Sequence, residues 1–338
     1  MLLSRPQTET MWQAPSRGRG GLAWWRIGAR MAFFLFSAVL GTAQPASNKS
    51  DWPATEDVIR TFADFWIEGQ KLEKIDLVHK IDIELEVLYY DPQWSVLWVR
   101  QGEEGSFFRV RENDLLPVGS GQRVRVQGTI IPRVGLDAER VTVTVLDALV
   151  PDRNTRWISE LGDLSTLHLK WVAVVGYVDR QTETDPSHLS LDVNVGGRRV
   201  GVNILKEPED EFPDYRGTFQ LVRGMFVANT QDETADGLGM WVPFLDLVES
   251  PPSEFQDPFL TPHQPIEQVA ILPSDQRVRI MGLVFSHDPG RSLIVRDETG
   301  QVLVNSPQLS ALRVGSMVDV AGYTSTQSGA ITLDSAVY

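Results

Sequence analysis

Histidine is the side chain whose charge changes near neutral pH and the commonest metal-binding one, and this 338-residue sequence holds five, at positions 79, 168, 188, 263 and 287. None has the i, i+4 spacing that sets two imidazoles on one helix face. No metal site is therefore expected, and His79, His168 and His188, at strand ends, are expected at the surface. Glu207, Glu209, Asp210, Glu211 and Asp214 are the right donor type for a hard divalent cation. Pro208 and Pro213 interrupt them and no EF-hand spacing is present, so the group reads as a solvated connector. The adjacent carboxylates of Arg296-Asp297-Glu298-Thr299-Gly300 read as a hairpin tip, because an acid–base pair must converge across a cleft. No nucleophile elbow, phosphate loop or zinc-protease helix occurs. The absence of cysteine removes thiolate nucleophiles, thiolate metal sites and disulfides. A non-enzymatic chain without a cofactor is the expectation.

The aromatic residues carry more information. Trp94, Trp98, Phe107 and Phe108 fall in two neighbouring strands or the loop before them. Period-2 alternation sends Phe107 and Phe108 to opposite faces, so one of them leaves the interior. Two readings follow: a ligand-binding platform, or a seal against an N-terminal helix or a neighbouring domain. Tyr177, Phe226 and Trp241 read as core or interdomain contacts.

The elements that must position these residues are mostly strands. Val58, Ile59, Phe62, Phe65, Trp66 and Ile67 have helical spacing, which predicts one amphipathic helix over 56–73 behind a polar tether from residue 44. Beyond it, short β-branched and aromatic runs recur between Gly, Pro, Asp and Asn. The plainest set is Arg277–Phe285, Ser292–Arg296, Gln301–Val304, Met317–Tyr323 and Ala330–Tyr338. Three meandering strands, a connector and two more strands outline an OB-fold. Gly282 and Gly322 would bend the coiled strands, and Gly300 would supply positive φ to the hairpin. The same plan recurs over 74–152 and 153–250, and in both 74–152 and the last unit an Asp-Pro closes the first strand. A repeat this long is domain duplication. The prediction is a mainly β chain of three tandem OB-like five-stranded barrels at 74–152, 153–250 and 276–338, with a proline-rich spacer at 251–275.

Arg26 and Arg30 precede the apolar run Met31–Leu40, and Gly41-Thr42-Ala43 follows it. That pattern describes a secretory signal peptide over 1–43 cleaved near Ala43, the alternative being an uncleaved N-terminal membrane anchor. Met11 or Met31 could serve as the start. Thirty-one basic residues face 45 acidic ones, a net charge of −14. The leader contributes five Arg and one Glu, so the exported chain would have 26 basic and 44 acidic residues, a charge of −18. That balance opposes phosphate backbones, and no nucleic-acid partner is expected.

Trp171-Val-Ala-Val-Val-Gly-Tyr-Val178 with Leu221-Val-Arg-Gly-Met225 resembles the middle of the extracytoplasmic sensor region of bacterial sensor histidine kinases. Asp257-Pro-Phe259 and Pro265-Ile266 are similar to the spacer there. Val278–Val284, Gly290–Leu293, Arg296–Gly300 and Asp334–Tyr338 resemble its last OB-like unit. The resemblance implies a periplasmic, non-catalytic sensory module that binds an unknown small ligand or envelope protein and works with an inner-membrane signalling partner. Such regions continue into a membrane span and a kinase module. This sequence stops at Tyr338 without a phosphoacceptor or nucleotide motif, so no catalysis carries over; it is either the exported portion alone or a truncated kinase. The alternative is a structural or protein-binding scaffold of the cell envelope.

Overall fold

The computed structural model describes residues 54–70, 74, 76–111, 114–148, 155–228, 238–327 and 329–338. The expected leader and most of the tether lie outside the described residues. Among the described residues no helix is long and apolar enough to cross a membrane. The chain is mainly β and contains three tandem OB-like units.

The first unit opens with a strand where a helix is predicted. Strand β1 (Ala54–Ile59) runs parallel to the start of β2 (Val78–Asp91), and helix α1 spans only Phe62–Gln70. The start is fixed by a reciprocal cap. Asp64 N donates to Thr61 Oγ1 at 3.0 Å, and Thr61 N donates to Asp64 Oδ2 at 3.0 Å. A Thr-x-x-acid box of this kind begins a helix, leaving β-branched Val58 and Ile59 on the strand side. Phe62 and Phe65 of α1 pack on Phe108 in the core, whereas Ile67 faces solvent. Strands β3 (Val96–Gln101), β4 (Glu104–Arg109), β5 (Gln122–Ile130) and β6 (Val141–Ala148) complete a sheet of order β4-β3-β2-β5-β6.

The second unit sets short β7 (Trp157–Ile158) beside β8 (Lys170–Asp185). It continues through β9 (His188–Val195), β10 (Arg198–Leu205), β11 (Phe219–Ala228), β12 (Leu238–Val242) and β13 (Val248–Glu249). Because β11 also pairs with β8, strands β8-β9-β10-β12-β11 form a closed ring. After one-turn helix α2 (Ile266–Val269), the third unit closes in the same order from β14 (Arg277–Asp288), β15 (Ser292–Arg296), β16 (Gln301–Asn305), β17 (Met317–Gln327) and β18 (Ala330–Val337). In both rings the fifth strand lies parallel to the third, at β10/β12 and β16/β18. This is the OB closure. The first unit lacks it among the described residues: one parallel bridge, Val110–Leu136, stands in for the pair. Each long first strand ends in Asp-Pro: Asp91-Pro92, Asp185-Pro186 and Asp288-Pro289.

Alternation fills the barrels. On β14, Val278, Ile280 and Val284 point inward to the third core, while Met281, Leu283 and Phe285 point outward. Gly282 is required by close approach, since a Cβ there would meet the Arg296 carbonyl oxygen at 2.6 Å. Gly300 does not take positive φ. The hairpin is held instead by the Asp297 carboxylate, which accepts from Thr299 N at 2.7 Å, Gly300 N at 2.9 Å and Ile266 N of α2 at 2.9 Å. Burial raises the Asp297 carboxyl, but these hydrogen bonds outweigh it and hold the group below the usual carboxylate range.

Candidate functional site

The sequence-nominated aromatics meet at the joint between the first two barrels. Leu88 and Tyr89 of β2 and Trp98 of β3 are buried against Leu169 and against Met225 of β11, with Phe107 of β4 and Trp241 of β12 alongside. Trp98 lies 6.2 Å from Trp241 and 5.2 Å from Phe107 between ring centroids. Trp94 stacks on His188 at 3.5 Å, with 13° between the planes, and its indole N–H donates to Asp185 Oδ2 at 3.1 Å. Phe108 is elsewhere, inside the first core. The four residues therefore form no open platform. Trp94, Trp98 and Phe107 seal a joint, and Phe108 holds α1. Trp98 Nε1 is buried without a hydrogen-bond partner among the described residues, which suits a side chain used for its apolar area.

A cluster of ionisable side chains lies inside the same joint. His188 and Asp91 are fully buried. The two ring nitrogens of His188 face two carboxylates: Nε2 lies 2.9 Å from Asp91 Oδ2, and Nδ1 lies 2.6 Å from Asp185 Oδ1. Asp91 also accepts from Gln93 N and Trp94 N at 3.0 Å each and from Tyr89 OH at 3.3 Å. Burial, then the charge of Asp91, pushes the Tyr89 phenol well above its ordinary value and keeps it a donor. Both carboxylates are the aspartates of Asp-Pro turns, one from each barrel, and the histidine links them. The expectation of surface histidines fails here: His188 and His79 are fully buried. A strand end faces solvent in an isolated barrel, but the one that holds His188 faces the first unit.

The second joint uses neutral donors. Asp179 of β8 accepts from Leu309 N at 2.7 Å, Ser310 N at 3.3 Å and Gln308 Nε2 at 3.1 Å in the third unit. Asn194 Nδ2 of β9 donates to the Ala336 carbonyl at 3.2 Å. Tyr177 packs on Ala321 of β17 and Val337 of β18; burial, then Asp179, pushes its phenol up to about 12. In both joints, then, the fourth and fifth strands of the later barrel lie on the outer face of the first and second strands of the earlier one.

Among the described residues, no later unit covers that same outer face of the third barrel; the spacer touches it at Arg279. Met281 (43% exposed), Leu283 (47%) and Phe285 (55%) line β14, and Met317 (59%) stands opposite Leu283 on β17. Across β15, Ile294 pairs with Leu303 of β16, which is 36% exposed, and Arg296 lies opposite Leu283. Counted back from the Asp-Pro turns, Phe285 occupies the position of buried Leu88. Only the alternation of β14 announces this face in the sequence.

Other candidates are weaker. A cleft of about 330 Å³ lies where the spacer crosses the second barrel, walled by Phe219, Pro252, Phe255 and Phe259. The acidic connector is exposed, with Asp214 lowered to about 2 by its hydrogen bonds with Arg216. Among the described residues no group of side chains is arranged to hold a metal ion.

No family model and no curated protein matches the chain. Solved structures do match, at low similarity. A murine DNA-binding protein bound with double-stranded DNA is 17% identical, with 48% of this chain and 92% of that one covered and a TM-score of 0.19. The p202 HIN1 domain in complex with a 12-mer double-stranded DNA is 12% identical over 54% and 94%, TM-score 0.21. The Drosophila Unr segment CSD456 is 12% identical over 77% and 98%, TM-score 0.20. These scores carry no argument about what this chain binds. Structures holding double-stranded DNA are nonetheless among those the chain matches, and the exclusion of nucleic acid as a partner is withdrawn. Its physical flaw is that net charge is a sum over the whole chain: the third barrel, 276–338, has five arginines against five carboxylates.

Proposed function

We propose that this chain is a non-catalytic binding module that docks a partner protein on the open face of its third barrel. One observation carries the reading. The outer face of the first two strands is covered by the next barrel in units one and two, and in unit three it stands open with Met281, Leu283, Phe285 and Met317 exposed. Contiguous exposed apolar surface of this kind marks interaction sites. The occupant fitting this face is the apolar fourth-and-fifth-strand face of another β-barrel protein, as in the two internal joints. The neutral charge of this barrel, in an otherwise acidic chain, supports approach by a protein surface. The resemblance to extracytoplasmic sensor regions gives the setting: an exported module that relays partner occupancy through rigid joints.

The test is site-specific photocrosslinking from position 285 in the native host, with a crosslinker at exposed Gln327 as control. The captured protein is then purified and its affinity measured against wild type and Leu283→Glu. A loss of about tenfold or more, the scale of one well-buried apolar anchor, supports the reading. Equal affinity of the variant overturns it. So does tight binding of a DNA duplex that Leu283→Glu weakens and added salt abolishes.

A further inference from the structure

The first unit, open among the described residues, carries a strand edge without a paired strand there. In the second and third barrels the fifth strand is covered by the third, β12 by β10 and β18 by β16. Its counterpart β6 pairs, among the described residues, only with β5. Folded proteins guard such edges with proline, lysine or a covering segment. The sequence of β6, Val141-Thr-Val-Thr-Val-Leu-Asp-Ala148, has no proline or lysine and one carboxylate. Five of its eight residues are β-branched, the type that fits a paired strand. Thr142 and Thr144 are exposed, Val145 is 42% exposed and Leu146 is 37% exposed.

We infer that β6 is a self-association edge: two copies of the chain join by antiparallel pairing of their β6 strands. The occupant follows from the strand itself. In a two-fold register centred on Thr144, that residue meets Thr144 of the second copy and Val143 meets Val145. Like faces then stay together, and Thr–Thr and β-branched pairs directly opposite each other are favourable. Asp147 falls opposite Val141, so the one charged residue of the strand meets no like charge. The contact is isologous and closes at two copies. It leaves both third-barrel faces uncovered, so the dimer would present two docking faces.

Because the chain has no cysteine, a single introduced thiol reports this register directly. Thr144→Cys is expected to form a disulfide-linked dimer under mild oxidation, since residues directly opposite bring their Cβ atoms to about 5 Å. Leu283→Cys, far from that edge, is expected to form no disulfide-linked dimer under the same oxidation. In sedimentation velocity over about two decades of concentration centred near 10 µM, wild type is expected to move from monomer to dimer. Val145→Lys, folded by circular dichroism, is expected to remain monomeric. Wild type that is monomeric throughout overturns the proposal, as does a Val145→Lys dimer as strong as wild type. A dimer lost in Leu283→Glu but kept in Val145→Lys would place self-association on the third barrel and overturn this proposal, while the docking reading stands or falls on its own affinity measurement.

Discussion

The outer face of the first barrel and the outer face of the third are the same surface of the same fold, put to opposite uses. Leu88, Tyr89 and Trp98 are sealed beneath the second barrel, while Phe285, Leu283 and Met281 face water. Aromatic residues outside a barrel core therefore do not by themselves mark a ligand site. Coverage by the neighbouring unit decides their role, and the richer aromatic set proves to be the one already spent.

The comparison can be broken at several points. Trp98→Ala should cost about 3–5 kcal/mol of stability, the usual range for a buried tryptophan, whereas Phe285→Ala should change stability by less than about 0.5 kcal/mol. Denaturant titration of both variants reads the difference, and equal costs would mean that the third face is also covered. His188→Leu leaves fully buried Asp91 and half-buried Asp185 without the group between them and should cost about 3 kcal/mol. Asp288→Asn, at the matching turn of the third barrel, should be near neutral because that aspartate is exposed. A smaller effect concerns acid. The folded Asp297 carboxyl is held low, so its stabilising contribution is present above the unfolded value near pH 4 and is lost as pH falls through the lower folded value. Asp297→Asn should therefore flatten the loss of stability as pH falls below the unfolded carboxylate value of about 4, measured by urea titration at each pH. An unchanged slope would remove Asp297 from the hairpin lock.

Much of the fold is legible in period-2 alternation and turn residues: the strands of the third barrel follow from Arg277–Phe285 and its successors. The start of α1 was written in Thr61-Phe-Ala-Asp64, a cap signature that helical spacing over 56–73 overrode. The open closure of the first barrel is not legible, because strand order depends on which edges meet and not on either strand's own pattern. The role of His188 is hidden for a related reason. Its two carboxylate partners are 97 and 3 residues away, and burial at a strand end comes from a second barrel.

Strand β8 belongs to both joints at once. Its Asp185 reaches the histidine of the first joint, and its Asp179 receives the backbone donors of the second. The two residues are six positions apart, about 20 Å along a strand. Loosening this one ribbon would weaken both barrel contacts together. The three units should therefore unfold as a single cooperative block, and β8 should be among the last amides to exchange with solvent deuterium.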